Sequence, residues 1–251
     1  MENRNIDDLR DYMSRYTEDI ENTLRENLPE APARLEKRFG EIAEAALFES
    51  RTRVRPYLTL LAAELVGGEP ADVIPAAVVA EYVDAASNLF SSRSSVGIAV
   101  AVALLNASYP LVFVNHSDSP ANGVRAHAEI VECVRGAGIV GSFEEQDSRS
   151  IESARLAGKE KSAAIVRLAL RMGAILSGAD YIELAALSRF AEHFGNASTL
   201  KSEFAIAGGD ADSLRSQLEI KVEDAKKVLV EEFSASNARS CLIQLTDFLV
   251  S

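Results

Sequence analysis

A short glycine-rich motif, GAGIVG at residues 136–141, has the spacing of a phosphate-binding loop. In dinucleotide-binding proteins such a loop follows a β-strand and opens a helix, whose N-terminus holds the pyrophosphate. Here the preceding residues 126–135 (AHAEIVECVR) place Ile130, Val131 and Val134 on one face of a helix. The motif therefore predicts a helix end followed by a loop, and we do not expect nucleotide chemistry there.

Thiol and zinc chemistry would depend on the two cysteines, Cys133 and Cys241. Neither belongs to a CxxC pair, and the three histidines are not spaced to complete a zinc site. Both cysteines are therefore expected to be reduced thiols in the core of a cytosolic protein. No metal site is predicted from these residues.

Charge restricts the classes of partner that the chain can bind. It carries 38 acidic and 26 basic residues, a formal net charge of −12. This excess disfavours a nucleic-acid surface, which needs clustered lysine and arginine, and it disfavours docking on anionic lipid. The polar N-terminal residues 1–16 lack the apolar core of a signal peptide, so a cytoplasmic location is expected.

Residues 96–114 (VGIAVAVALLNASYPLVFV) contain no charged side chain. A membrane-spanning helix needs about 20 apolar residues. This segment is interrupted by polar residues and Pro110, and a helix that is apolar all round also suits the centre of a large bundle. We therefore predict no membrane span and a central or interfacial helix.

Helical periodicity dominates the chain. Apolar residues recur at spacings of three and four over residues 6–24, whereas alternating strand-like runs are essentially absent. The fold class predicted is all-α, a bundle of about ten helices in a single domain covering residues 1–251. The further helices are predicted at 34–47, 55–66, 73–90, 96–114, 124–135, 150–176, 181–194, 211–233 and 236–250.

Two segments resemble the trans-isoprenyl diphosphate synthase (polyprenyl synthetase) family. Residues 51–90 contain the Arg-x-Arg-Pro signature at 53–56, an apolar helix, a Gly-Gly stop at 67–68 and a second helix in register. Residues 158–180 (GKEKSAAIVRLALRMGAILSGAD) are similar to the family's Lys-Thr-Ala-Ala helix with its Gly-Ala-Ile-Leu ending. The resemblance implies an isoprenoid-synthase-like helical fold and a family activity of magnesium-dependent prenyl transfer.

The first aspartate-rich motif of that family falls on Ser91, Ser92 and Ser95 of this chain. Family members use the carboxylates to hold Mg²⁺ ions that grip the allylic diphosphate. Neutral hydroxyls offer no charge to gather hard cations, and Arg93 between them would repel a metal.

The second aspartate motif is also missing. Its paired aspartates correspond to Ile206 and Ala207, and only Asp210 remains. The resemblance further implies that the lysine of the isopentenyl diphosphate site is replaced by Thr52 and its histidine by Asp84. An aspartate where an anion should dock is unfavourable by Coulomb repulsion.

Three family positions survive as vestiges, namely Arg55, Lys161 and Asp210. We expect them to have structural roles and predict no catalytic residue. Mg²⁺ is expected as a cofactor only if activity is retained.

The function predicted is a catalytically inactive homologue that acts as a non-catalytic or regulatory subunit of a prenyl diphosphate synthase. The predicted assembly is a homodimer, or a heterodimer with the catalytic enzyme, formed through residues 96–114 and the neighbouring helix. With the charge network gone, the family's substrate cavity is expected to be partly filled or closed.

Two alternatives remain open. An isoprenoid carrier or sensor would keep a large apolar cavity and bind a lipid without turnover. An enzyme of changed chemistry would bring Asp84, Glu203 and Asp210 together with shifted pKa values.

Overall fold

The computed structural model describes most of the chain. It covers residues 4–31, 33–34, 36–49, 52–91, 94–115, 119–136, 151–206 and 211–250.

Helices make up the architecture of the described residues, and the predicted all-α class is confirmed. Short 3-10 helices at Pro70–Val73 and Tyr109–Phe113 join some of the longer elements. The α-helices are α1 (Arg4–Glu26), α2 (Glu36–Phe48), α3 (Val54–Leu65), α4 (Ile74–Ala77), α5 (Val79–Ser91), α6 (Ser95–Ser108), α7 (Pro120–Arg135), α8 (Ile151–Leu176), α9 (Tyr181–Ile206), α10 (Ala211–Glu232) and α11 (Asn237–Asp247).

Helices α3 and α5 form the centre of the bundle. Residues 56–63 of α3 and residues 79–87 of α5 are all buried. Most of these side chains are small or apolar, so their burial supplies much of the hydrophobic stabilisation of the fold. Two carboxylates, Glu81 and Asp84, lie on the same buried helix. Buried charges of this kind need partners.

Helices α3, α8 and α9 pack backbone against backbone at two glycines. A Cβ atom added to Gly173 in α8 would lie 2.1 Å from the carbonyl oxygen of Thr59 in α3. A Cβ atom added to Gly195 in α9 would lie 2.5 Å from the Cα atom of Ala163 in α8. Only glycine permits such close approach, so both glycines fix the spacing of these helices.

Several predicted helix boundaries are wrong. The helix predicted at 124–135 begins at Pro120, and the one predicted at 236–250 ends at Asp247. The helix predicted at 181–194 continues for another three turns to Ile206, because Gly195 is a packing contact within α9 and does not end the helix. The helix predicted at 73–90 is divided at Val78 into the short α4 and α5, and the 3-10 helix Pro70–Val73 precedes it. Pro75 lies in the first turn of α4, where a missing backbone N–H is tolerated, so it suits the start of α4.

The uncharged segment forms α6 and the 3-10 helix that follows it. By length and composition alone, Ser95–Phe113 and Pro70–Phe90 could each cross a membrane. The Pro70–Phe90 segment is 72% buried inside the protein, as a core helix would be, whereas Ser95–Phe113 is 50% buried. Ile98 and Val102 on α6 remain 41% and 45% exposed. This segment is therefore partly core and partly an apolar surface.

The packing at Gly173 makes a prediction for stability. Gly173→Ala should lower the free energy of unfolding by about 1–3 kcal/mol, since the new methyl group overpacks against the backbone of Thr59. The matched control is Gly40→Ala in α2, where a Cβ atom would meet nothing within 4 Å. That control should be neutral or raise stability by up to about 1 kcal/mol through helix propensity. Urea unfolding followed by circular dichroism measures both, and equal effects would contradict the packing role.

Candidate functional site

Arg53 ties three helices together just before α3 begins. Its backbone adopts the left-handed conformation, with φ 52° and ψ 24°. Its guanidinium donates to both carboxylate oxygens of Glu21 in α1, at 2.5 and 3.2 Å, and to the carbonyl oxygen of Leu47 in α2 at 2.6 Å. The left-handed region is costly for a residue with a side chain, by about 1–2 kcal/mol. These charge-assisted bonds offset that cost.

Arg55 makes a buried double ion pair with α5. Its guanidinium lies 3.1 Å from an oxygen of Glu81 and 3.0 Å from an oxygen of Asp84. Burial alone would lower the pKa of Arg55, but the charges of Asp84 and Glu81 outweigh it and raise that pKa above its usual value. The second oxygen of Glu81 lies 3.7 Å from Arg53, so the two arginines share one carboxylate.

These five side chains form one unit, here called the arginine–carboxylate network: Arg53, Arg55, Glu21, Glu81 and Asp84. The two cations and three anions carry a formal net charge of −1. Glu81 and Asp84 are only 0% and 6% exposed, so their charges are poorly screened by solvent. An approaching anion would meet carboxylates at this end of the bundle as well as arginines.

Lys161 reaches the same helix from α8. Its ammonium donates to the side-chain oxygen of Asn88 at 2.9 Å. Asn88 lies one turn beyond Asp84 on α5, and its amide nitrogen is 3.5 Å from that carboxylate. The structure therefore brings together two of the three predicted vestiges, Arg55 and Lys161, whereas Asp210 lies outside the described residues.

A cavity of about 580 Å³ opens between α3, α5, α8, α9 and the end of α11. Arg55, Asp84, Lys161 and Lys201 contribute charged groups to its wall, and Thr52 lies at its edge. The remaining wall is apolar or carries hydroxyl groups. The cavity is therefore not closed, contrary to one outcome predicted from sequence, and it is not a purely apolar channel either.

The two described positions of the first aspartate motif, Ser91 and Ser95, lie at helix ends. Ser91 is the last residue of α5, Ser92 lies outside the described residues, and Ser95 is the exposed first residue of α6. Ser94 caps α6 by accepting a hydrogen bond from the Gly97 backbone at 3.2 Å. Ser94 therefore has a structural role as the N-cap of α6.

The second motif is described only at its start. Ile206 ends α9, while Ala207 and Asp210 lie outside the described residues. Across the part of the chain that the structure describes, no group of three or more His, Cys, Asp or Glu side chains is arranged to hold a metal ion. Ser91, Ser95 and Ile206, the described positions of the two motifs, carry no carboxylate that could bind Mg²⁺.

Comparison with known proteins places these observations in context. No family model matches the chain. Geranylgeranyl pyrophosphate synthase 7 of Arabidopsis thaliana is 27% identical over 187 residues, 63% of this chain and 54% of that protein. The match thus spans about half the length of the curated relative.

Solved structures share the whole fold. A geranylgeranyl pyrophosphate synthetase from Geoglobus acetivorans superimposes with a TM-score of 0.79 at 19% identity and covers 100% of both chains. The geranyl diphosphate synthase small subunit of Antirrhinum majus gives 0.77 at 20% identity, covering 95% of this chain and 98% of that one. The chain is similar to the trans-isoprenyl diphosphate synthases in sequence and in fold. The resemblance found in the sequence is confirmed.

Glu203 lies in a different environment from Asp84. It accepts two hydrogen bonds from Arg155 of α8, at 2.9 and 2.6 Å. Asp84 is held by Arg55, so the two carboxylates that the changed-chemistry alternative would combine are each paired with a different arginine. This arrangement provides no support for a rebuilt acid/base site.

Glu81 was missed by reasoning from the sequence alone. Its signal was present, because Glu81 and Asp84 are spaced i, i+3 on an otherwise apolar helix and must share one face. Two carboxylates on the face of a buried helix require cations to compensate their charge. In the structure, Arg53 and Arg55 provide those cations.

Removal of Glu81 should test the network. Glu81→Ala leaves Arg55 with one buried carboxylate, and we expect the free energy of unfolding to fall by about 3 kcal/mol. Glu219→Ala is the control, because its ion pair with Arg215 is on the surface and should contribute less than about 1 kcal/mol. Urea unfolding measures both. Similar small losses would show that the network does not stabilise the fold.

Proposed function

We propose that the chain is a non-catalytic subunit that binds and tunes a catalytic prenyl diphosphate synthase. The observation that carries this proposal is the engagement of Arg55 by Glu81 and Asp84. Arg55 is the retained arginine of a site that binds a diphosphate in the related enzymes. Here its charge is already compensated inside the protein.

Electrostatics supports the loss of substrate binding. A diphosphate that reached Arg55 would come close to the carboxylate of Asp84, which is 3.0 Å from the guanidinium. Like charges at such distances repel by about 1 kcal/mol even in water, and by more where solvent is excluded. The cation would also have to leave two buried partners that then lack compensation.

The replaced metal positions support the loss of chemistry. Ionisation of an allylic diphosphate depends on Mg²⁺ ions that neutralise the departing charge. Serine hydroxyls at 91, 92 and 95, and apolar side chains at 206 and 207, supply no negative charge for such ions. The catalytic step is therefore assigned to a partner.

Exposed apolar side chains on α6 and α7 support a binding surface. Five apolar side chains on these elements are each 41–61% exposed. They are Ile98 and Val102 on α6, Phe113 in the following 3-10 helix, and Val124 and Val131 on α7. A Cβ atom on Gly123 would lie 2.7 Å from the Phe113 ring, so the two elements are in close contact. Exposed apolar groups on neighbouring elements are typical of interaction sites. These five residues are here called the α6–α7 surface.

The identity of the partner rests on the structural neighbours. One of them is a geranyl diphosphate synthase small subunit, whose name implies a larger companion. We infer that the α6–α7 surface of this chain binds a catalytic synthase of the same fold. A second copy of this chain is the other occupant that the experiments below distinguish.

The purified chain should make no prenyl product. Incubation with radiolabelled isopentenyl diphosphate, an allylic primer and Mg²⁺ is expected to give no extractable radioactivity above a blank, since the metal positions carry no carboxylates. A catalytic synthase assayed in parallel is the positive control. Product that disappears on addition of EDTA would contradict the proposal.

Co-expression with a catalytic synthase from the same organism should give a stable complex with altered activity or product length. Val102→Asp should weaken that complex by about ten-fold or more, because it buries a charge in the interface. Val230→Asp on α10, where the valine is 57% exposed, is the matched control and should have no effect. Light scattering that finds only monomers, alone and with the synthase, would refute the proposal. A homodimer that excludes the synthase would favour self-association instead.

A further inference from the structure

The cavity beside the arginine–carboxylate network has a wall of two kinds. Half of its lining residues carry charged or hydroxyl side chains. Most of the others are apolar, among them Leu58 of α3, Ile165 of α8, Phe194 of α9 and Leu245 of α11. The volume of about 580 Å³ falls within the range of small-molecule pockets. A ligand that has both an apolar part and a polar head group matches such a wall.

The wall carries more positive than negative charge. Arg55, Lys161 and Lys201 contribute cations to it, and Asp84 contributes a carboxylate. The arginine–carboxylate network as a whole has a formal charge of −1, so the two lysines bring this end of the bundle to a formal +1. An excess of positive charge in a cleft attracts an anionic ligand, and apolar walls reduce the screening of that attraction.

Lys201 is the cation best placed to hold an anion. Its ammonium donates to the carbonyl oxygen of Phe248 at 2.5 Å, and that acceptor has no formal charge. An ammonium has three N–H donors, so Lys201 can bind an anionic oxygen and keep its bond to Phe248. Lys161 adds a second positive charge and donates to the neutral side-chain oxygen of Asn88 at 2.9 Å. Arg55, in contrast, is already bound by two carboxylates.

Two serines lie beside these lysines. Ser162 follows Lys161 on α8, Ser198 lies one turn before Lys201 on α9, and both are half-buried residues of the cavity wall. A serine hydroxyl can donate a hydrogen bond to a carboxylate oxygen, and such charge-assisted bonds are stronger than neutral ones. Helices α8 and α9 touch at Gly195, so the spacing of these groups is fixed by the packing of the two backbones.

We propose that this cavity binds a carboxylate that carries an apolar chain, such as a fatty acid, without a metal ion. The head group lies between Lys161 and Lys201, and the chain lies against Leu58, Ile165 and Phe194. The single negative charge of the ligand balances the formal +1 of the site. This binding is a property of the isolated chain and goes beyond the proposed subunit function, so the two can fail independently.

Equilibrium dialysis of the full chain with radiolabelled laurate and dodecanol tests the proposal directly. Both probes have a twelve-carbon chain and differ only in the head group, and EDTA in the buffer removes divalent cations. Laurate should bind saturably and at least about ten-fold more tightly than dodecanol. Equal or tighter binding of the alcohol, or the absence of saturable laurate binding, would overturn the proposal.

Lys201→Gln tests the position of the head group, because glutamine removes the charge and keeps an N–H donor. We expect laurate to bind about ten-fold more weakly while dodecanol changes little, and Lys161→Gln should act in the same direction. Lys227→Gln is the control, since that lysine pairs with Glu231 on α10 and does not line the cavity. Circular dichroism checks that each variant is folded. Unchanged laurate affinity in folded Lys201→Gln, or an equal loss in the control, would overturn the assignment.

Competition with farnesyl diphosphate in EDTA tests the choice of head group. It should displace laurate no more strongly than the same concentration of unlabelled laurate, since the site holds one excess positive charge and no metal ion is supplied. Stronger displacement would show that the cavity prefers a diphosphate and would overturn the proposal of a carboxylate ligand. The assay for prenyl product and the test for a complex with a synthase are unaffected by either result.

Discussion

The double ion pair between Arg55 and the carboxylates of α5 is the interaction on which this structure depends. Helix α5 is buried along its first nine residues, so Glu81 and Asp84 could not remain charged there without cations. Arg55 supplies one cation and Arg53 the other, and Arg53 also binds α1 and α2. A requirement for charge compensation thereby fixes four helices relative to one another.

The persistence of that cavity has a physical reason in the helix packing. At Gly173 and Gly195 the backbones of α3, α8 and α9 already touch, so these helices cannot move closer to close a space beside them. The wall also carries hydroxyl and charged groups, and such groups lose hydrogen bonds to water when a cavity collapses. The helix packing therefore keeps this cavity open.

The fold could be predicted from the sequence, because helical periodicity and the Arg53-to-Pro56 and Gly173-to-Leu176 matches are local patterns. The end of α9 could not be predicted, because glycine often ends a helix, and the contact of Gly195 with Ala163 is visible only in the structure. The sequence predicts that Asp84 would repel an anion, but it does not predict the partner that Asp84 has in the structure. Its attraction to Arg55 depends on the distance between α3 and α5, which no local pattern encodes.

The pairing of Arg55 also limits how the sequence of such a chain can change. Aspartates introduced at positions 91, 92 and 95 would supply carboxylates for a metal ion while the arginine stayed bound to Glu81 and Asp84. Replacement of Asp84 alone would leave a buried guanidinium with one partner fewer, at a cost in stability. Neither change alone would free the arginine without cost, so several substitutions would have to occur together. Under the proposed function, the ion pair acts as an evolutionary ratchet that makes a return to catalysis difficult.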